Sequence, residues 1–262
     1  MSAFRHVEAV FFDIGGPLYD DGNFVDAVLT TLDELRAERS LPPADRDRFA
    51  EIYDETRNRQ QGSLRSALAA EFLGDAGQRG LLHTRTGTHW THPEGTLHSD
   101  VLPCLRELHG RVRIGVVANQ EAAVVDALRR DGAEPYVDVW AVSGIVGVEK
   151  PDPELFAWAL QEAGTTARHA VHVGNRLDTD VRPARALGLG TVWVLRGEAP
   201  PSPTAAQLAE PDTAVRDLTL LPDLLFRLPA PETVETSEAP ETAETPEASE
   251  ASEAVGDEGG PP

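Results

Sequence analysis

The 262-residue chain is short of several things, and each shortage excludes something. It has one cysteine, Cys104, so no internal disulfide can form. Cys104 sits in the amphipathic stretch SDVLPCLRELHG and is read as a small core residue rather than a nucleophile. No stretch approaches the roughly 18 apolar residues of a membrane span, and the opening MSAFRHVEAVFF lacks the long apolar segment of a signal peptide. The expected location is therefore the cytoplasm. Positive charge is scarce too: 23 Lys and Arg stand against 44 Asp and Glu, a net charge of −21. A surface of that sign disfavours nucleic acid, whose phosphates need a basic face, and it disfavours anionic membranes. The expected partner is a small molecule.

Lysine itself is nearly absent. Lys150 is the only one, and every other basic residue is arginine. A chain that gives its general cationic tasks to arginine yet keeps one compact ammonium group draws attention to that position.

What is present is unevenly distributed. Residues 229–262 carry ten acids, with a Glu at every third position from Glu232 to Glu253, and no Lys or Arg. Removing ten from −21 leaves −11 for residues 1–228. The tail has almost nothing apolar to bury and is expected to be disordered. Upstream, 7–12, 111–117, 136–142, 169–173 and 191–195 read as buried strands. Helical patterns at 99–109, 120–131, 153–163 and 178–187 alternate with them. That alternation predicts an α/β fold with a doubly wound parallel sheet. Residues 22–95 instead show helical periodicity and no strand, as an all-helical insertion would. The expected division is 1–20 core, 21–97 helical insertion, 98–228 the rest of the core, and 229–262 tail.

Ligands of an open parallel sheet bind beyond the carboxyl ends of its strands. Four segments fall there: FFDIGGPL with Asp13, VVAN with Ala118 and Asn119, VEKPDPELF with Lys150, and VGNRLDTDV with Asn175, Asp178 and Asp180. An acid after a strand is usually a turn residue; all four segments in this order carry more weight. The set resembles the haloacid dehalogenase superfamily, in the subgroup whose helical cap is inserted after the first motif, over about residues 7–200. The resemblance implies a Rossmann-like core and residue roles. Asp13 would be the nucleophile of a covalent aspartyl intermediate, and Lys150 would neutralise it. Gly15, Gly16, Ala118 and Asn119 would bind phosphate through backbone groups. Magnesium would be held by Asp13, the carbonyl of Gly15 and Asn175, with Asp180 in support.

Three positions depart from the family pattern. Gly15 stands where a second acid usually protonates the leaving group, help typically worth ~10²–10⁴-fold. Ala118 stands where a hydroxyl usually meets the phosphate, and Asn175 where an acid usually binds the metal. Three readings stay open: a phosphohydrolase with a modified site and a weakened magnesium site; a metal-free 2-haloacid dehalogenase, whose Asn-x-x-Asp pattern Asn175 and Asp178 match although Pro17 and Ala118 do not fit it; and a non-catalytic binding protein. In the insertion, Arg57, Arg59 and Arg65 lie on or beside a helix; a solvated helix face is the preferred reading, with contact of one of them to an anionic substrate as the alternative. His83, His89, His92 and His98 around Trp90 form no recognised zinc spacing and are read as a linker in which Trp90 packs.

Overall fold

The structure is a computed structural model that describes residue 4 and residues 6–226. The acidic segment 229–262, expected to be disordered, lies outside the described residues. Six strands form one parallel sheet: β1 Ala9–Phe12, β2 Arg113–Ala118, β3 Val139–Val142, β4 Ala170–Gly174, β5 Gly190–Val194 and β6 Thr213–Val215, in the order β3-β2-β1-β4-β5-β6. Five of the strands match the runs expected from the sequence within a few residues. The sixth is a three-residue, half-buried edge strand, too short to leave a periodic signal.

Successive side chains of a strand point to opposite faces, and β1 divides accordingly. Val10 and Phe12 join one apolar layer with Ile114, Val116, Val171 and Val173. Ala9 and Phe11 join the other with Val117, Ala141, Leu155 and Phe156. Both layers exclude water from β1, so all four of its residues are buried. β1 pairs with β2 on one side and β4 on the other. The chain therefore builds outward from β1 in one direction and then crosses it to build in the other. The crevice at that reversal opens at the carboxyl end of β1, where Asp13 follows.

Between β1 and β2 the chain is helical, with α1 Gly22–Ala37, α2 Arg46–Arg59, α3 Leu64–Leu73 and α4 Arg79–Thr86, followed by α5 Val101–Leu108. Local sequence sets these ends. The Asp45 carboxylate accepts the N–H groups of Asp47 and Arg48 at the start of α2, and the Ser63 hydroxyl accepts that of Ser66 at the start of α3. Gly74 closes α3 in the left-handed conformation. Three helical stretches are legible in the sequence of this segment; α4, short and polar, is the one that is not. The helices α1–α4 share a hydrophobic cluster of their own, with Val28, Leu32, Leu68 and Leu82 fully buried.

One close approach ties the sheet to the crevice. Gly174 ends β4, and a Cβ there would lie 2.3 Å from Asp180 Cγ. Gly174→Ala must therefore displace a buried carboxylate. Overpacking of this kind costs about 1–3 kcal/mol, which in a domain of this size lowers the melting temperature by roughly 2–12 °C. Thermal melts of the two proteins check this, and an unchanged melting temperature would mean that Asp180 is not held where it is described.

Candidate active site

Lys150 organises the crevice. Its side chain is 2% exposed, with Nζ 2.8 Å from Asp13 Oδ1 and 2.5 Å from Asp180 Oδ1. The Asn119 side chain fixes its backbone at two points, with Nδ2 donating to the Lys150 carbonyl at 2.8 Å and Oδ1 accepting the Lys150 N–H at 2.7 Å. Asn119, expected to serve through its backbone, thus positions the lysine with its side chain. Burial works against the charge on Lys150, but Asp13 and Asp180 outweigh it and raise its pKa.

The two carboxylates differ in their surroundings. Asp180 is fully buried. Its Oδ1 meets Lys150 and His172 Nε2, and its Oδ2 accepts the N–H groups of Asn175 and Arg176 at 3.2 and 2.9 Å. Burial opposes its ionisation, yet Lys150 and His172 hold its pKa below the ordinary value. The buried Nδ1 of His172 has no partner, so Nε2 carries the proton and donates to Asp180. Asp13, with fewer partners, is pushed up to about 6, chiefly by burial, against the pull of Lys150.

Asp13, Gly15, Asn119 and Lys150 line one cavity of about 380 Å³. Ala118 and Asn175 do not line it; both are buried behind its wall. The Asn175 Nδ2 donates to the Arg196 carbonyl at 3.3 Å and lies 2.0 Å from where a Cβ on Gly16 would be. Gly16, at φ 86°, is thus a glycine on both counts. Of the four groups expected around magnesium, Asp13 and Gly15 face the cavity. Asn175 and Asp180 do not line it; both Asp180 oxygens and the Asn175 Nδ2 are engaged in the wall.

The cavity also holds residues that sequence reasoning did not single out. Asp21 enters it from just before α1, and a Cβ on Gly15 would lie 2.9 Å from Asp21 Oδ1 and 3.5 Å from Gln120 Nε2. The Asp21 carboxyl therefore occupies the space that a side chain at 15 would need. Its pKa is well above the ordinary value, first through burial and then through the charges of Glu198, Asp13 and Asp20. Glu198 lines the cavity as well. The signal for Asp21 was the repeated acid in LYDD, which reads as a helix cap; only the fold of the 13–21 loop turns it inward. Of the linker histidines, His92 Nε2 lies 3.3 Å from Gln120 Oε1, and Trp90 packs on Phe24 at 5.2 Å. The expected linker with a packed tryptophan agrees with this geometry.

Among the described residues, no three His, Cys, Asp or Glu side chains converge to hold a metal ion. The donor chemistry still fits magnesium, which takes few protein oxygens and keeps several waters. Asp13 and the Gly15 carbonyl supply such oxygens, and the crowding of Asp13, Asp21 and Glu198 is of the kind a cation relieves.

The comparisons with known proteins agree with the motifs. A family model described as haloacid dehalogenase-like hydrolase matches residues 7–188. The chain belongs to this family. A ribulose-1,5-bisphosphate 5-phosphatase of Halopiger xanaduensis is 31% identical over 199 residues, 70% of this chain and 83% of that protein. A glyceraldehyde 3-phosphate phosphatase of Methanopyrus kandleri is 34% identical over 107 residues, 38% of this chain. A phosphoserine phosphatase of Thermus thermophilus is 46% identical over 87 residues, 33% of this chain. The match covers 44% of the length of the Methanopyrus protein and 33% of the Thermus one. Among solved structures, a haloacid dehalogenase-family phosphatase of Thermococcus onnurineus (TM-score 0.57, 21% identity) and a 2-haloacid dehalogenase of Pseudomonas syringae (TM-score 0.54, 23% identity) each cover 83% of this chain, and each is itself 97% covered. Both chemistries thus occur on this fold, and only the site separates them.

The raised pKa of Asp13 makes a stability prediction. Between its unfolded value near 4 and about 6, the folded protein holds the proton more tightly than the unfolded chain. Stability therefore falls as pH rises through that window. Asp13→Asn removes the penalty. In metal-free buffer the variant should be more stable at pH 8, on the order of 1–3 kcal/mol, and the gain should vanish near pH 4. Melting curves across that range check it; a less stable variant at pH 8 would show that the pair with Lys150 is net stabilising.

Proposed function

We propose that the chain hydrolyses phosphate monoesters of small metabolites by phosphoryl transfer to Asp13, with helices α1–α4 as the cap over the site. The observation that carries this reading is the Asp21 carboxyl in the space beside Gly15. A phosphatase needs a proton carrier for an alkoxide leaving group, and a haloacid dehalogenase, which releases halide, does not. Asp21 supplies the carboxyl group from a different backbone position.

In the first step an Asp13 oxygen attacks phosphorus and the ester P–O bond breaks. The leaving oxygen takes the proton of Asp21. Lys150, 2.8 Å from Asp13, offsets the negative charge that gathers there; such pre-placed charge is commonly the largest catalytic contribution. In the second step water attacks the phosphorus of the aspartyl phosphate and gives its proton back to Asp21. Inorganic phosphate leaves and Asp13 is restored. Magnesium, bound by Asp13 and the Gly15 carbonyl, would add positive charge at the transferring group. The backbone N–H group of Asn119 is the candidate phosphate donor; that of Gly16, expected to share this role, instead donates to the Tyr19 carbonyl at 2.9 Å. Ala118 itself offers no hydroxyl, and a charge-assisted bond of that kind is worth ~1.5–3 kcal/mol.

Three curated relatives named as phosphatases support the choice over a dehalogenase. A panel of phosphorylated metabolites, with and without magnesium and with a 2-haloacid beside them, tests it. Phosphate release that depends on magnesium and disappears in Asp13→Asn is the expected result. Asp21→Asn should lose ~10²–10⁴-fold on alkyl phosphates and much less on an aryl phosphate, whose leaving group needs no proton. Halide release without phosphate release would overturn the reading, and an equal loss on both ester types would remove Asp21 from the proton path.

A further inference from the structure

The cavity has a second pole that the transfer chemistry does not use. Arg65, in the first turn of α3, lines it opposite no counter-ion. Its guanidinium lies over the Phe24 ring at 5.0 Å from the centroid, and its buried Nε has no hydrogen-bond partner. The Arg65 side chain makes no hydrogen bond or ion pair among the described residues. The carboxylates that most influence it are Glu198 and Glu149. Both are engaged elsewhere, Glu198 with Arg176 at 3.4 Å and Glu149 with Arg79 at 2.8 Å. Burial without a partner lowers the pKa of Arg65, but a guanidinium keeps its charge.

A sheltered cation with unused donors costs stability unless something completes it. Nothing in the chain does, whereas the other arginines that line this cavity, Arg79 and Arg176, are paired. The Phe24 ring, braced by Trp90, keeps the fork in place, so little freedom is lost when a ligand docks.

We propose that Arg65 receives a second anionic group of the substrate, a carboxylate or phosphate at the end remote from the ester being cleaved. The substrates are then small phosphorylated acids or bisphosphates rather than phosphorylated alcohols. The planar fork suits two parallel hydrogen bonds to either anion. The inference rests on the phosphohydrolase reading for which ester is cleaved, but the anion pole itself can be measured without turnover.

The test uses Asp13→Asn protein, which can bind but not transfer, and titration calorimetry with two matched pairs. In each pair the remote end is anionic in one member and neutral in the other. One pair is 3-phosphoglycerate and glycerol 3-phosphate; the other is propane-1,3-diol bisphosphate and its monophosphate. The anionic member should bind roughly 10- to 100-fold more tightly, as expected for hydrogen bonds between charged groups. Which pair shows the larger ratio distinguishes carboxylate from phosphate. Adding Arg65→Met, which keeps the packing on Phe24, should bring both ratios close to one; Arg65→Lys should keep part of them. Ratios near one in the Asp13→Asn protein, ratios that survive Arg65→Met, or no binding of any member at millimolar concentration would each overturn the proposal. If the ratios behave as expected but the native chain hydrolyses neither ester, the anion pole stands and the phosphohydrolase reading falls.

Discussion

The site depends on a single buried ammonium group held between two carboxylates. Lys150 is 2% exposed, and Asp13 and Asp180 together keep it charged there. Truncating Asp180, the fully buried partner, strands that charge, at a cost of about 3–5 kcal/mol. Much of the surrounding structure follows from keeping this triad in register. Asn119 clamps the lysine backbone, two N–H groups and His172 saturate Asp180, and Gly174 leaves the room that Asp180 fills. Asp180 so held is saturated, whereas Asp13 has fewer partners and opens to the cavity, as its proposed role as nucleophile requires. Two chemically identical side chains differ here because their environments differ.

The second constraint is the crowding of acids at the cavity. Burial and the charges of Glu198, Asp13 and Asp20 raise the energy of the ionised Asp21 carboxyl. A proton on Asp21, a cation beside Asp13, or both relieve that crowding. Sites built for proton transfer concentrate such groups. A side chain at 15 would collide with Asp21, so the glycine at 15 and the inward carboxyl at 21 fit one another in space.

The sequence made the sheet legible because parallel strands leave continuous apolar runs such as AVFF and AVHVG, and because Asp13, Asn119 and Lys150 fall at strand ends where the topology gathers them. The short edge strand Thr213–Val215 and the helix Arg79–Thr86 left no such pattern. The inward turn of Asp21, the burial of Asn175 behind Gly16 and the entry of Arg65 over Phe24 are products of tertiary packing. Each of those residues has an ordinary surface reading from its neighbours alone: a cap residue, a strand-end amide, a charged helix face. Side-chain direction at a loop or a helix start is set by contacts distant in sequence, and periodicity does not encode it.

The central claim is that Asp13 carries the phosphoryl group. Acid-quenching the enzyme during turnover of a phosphate ester, reducing with borohydride and mapping the peptides tests it directly. An aspartyl phosphate at Asp13 would be reduced to homoserine at that position. Homoserine at 13, dependent on substrate and absent from unreacted protein, is the predicted result. Turnover that leaves Asp13 unmodified, or that places the phosphoryl group on another residue, would contradict it.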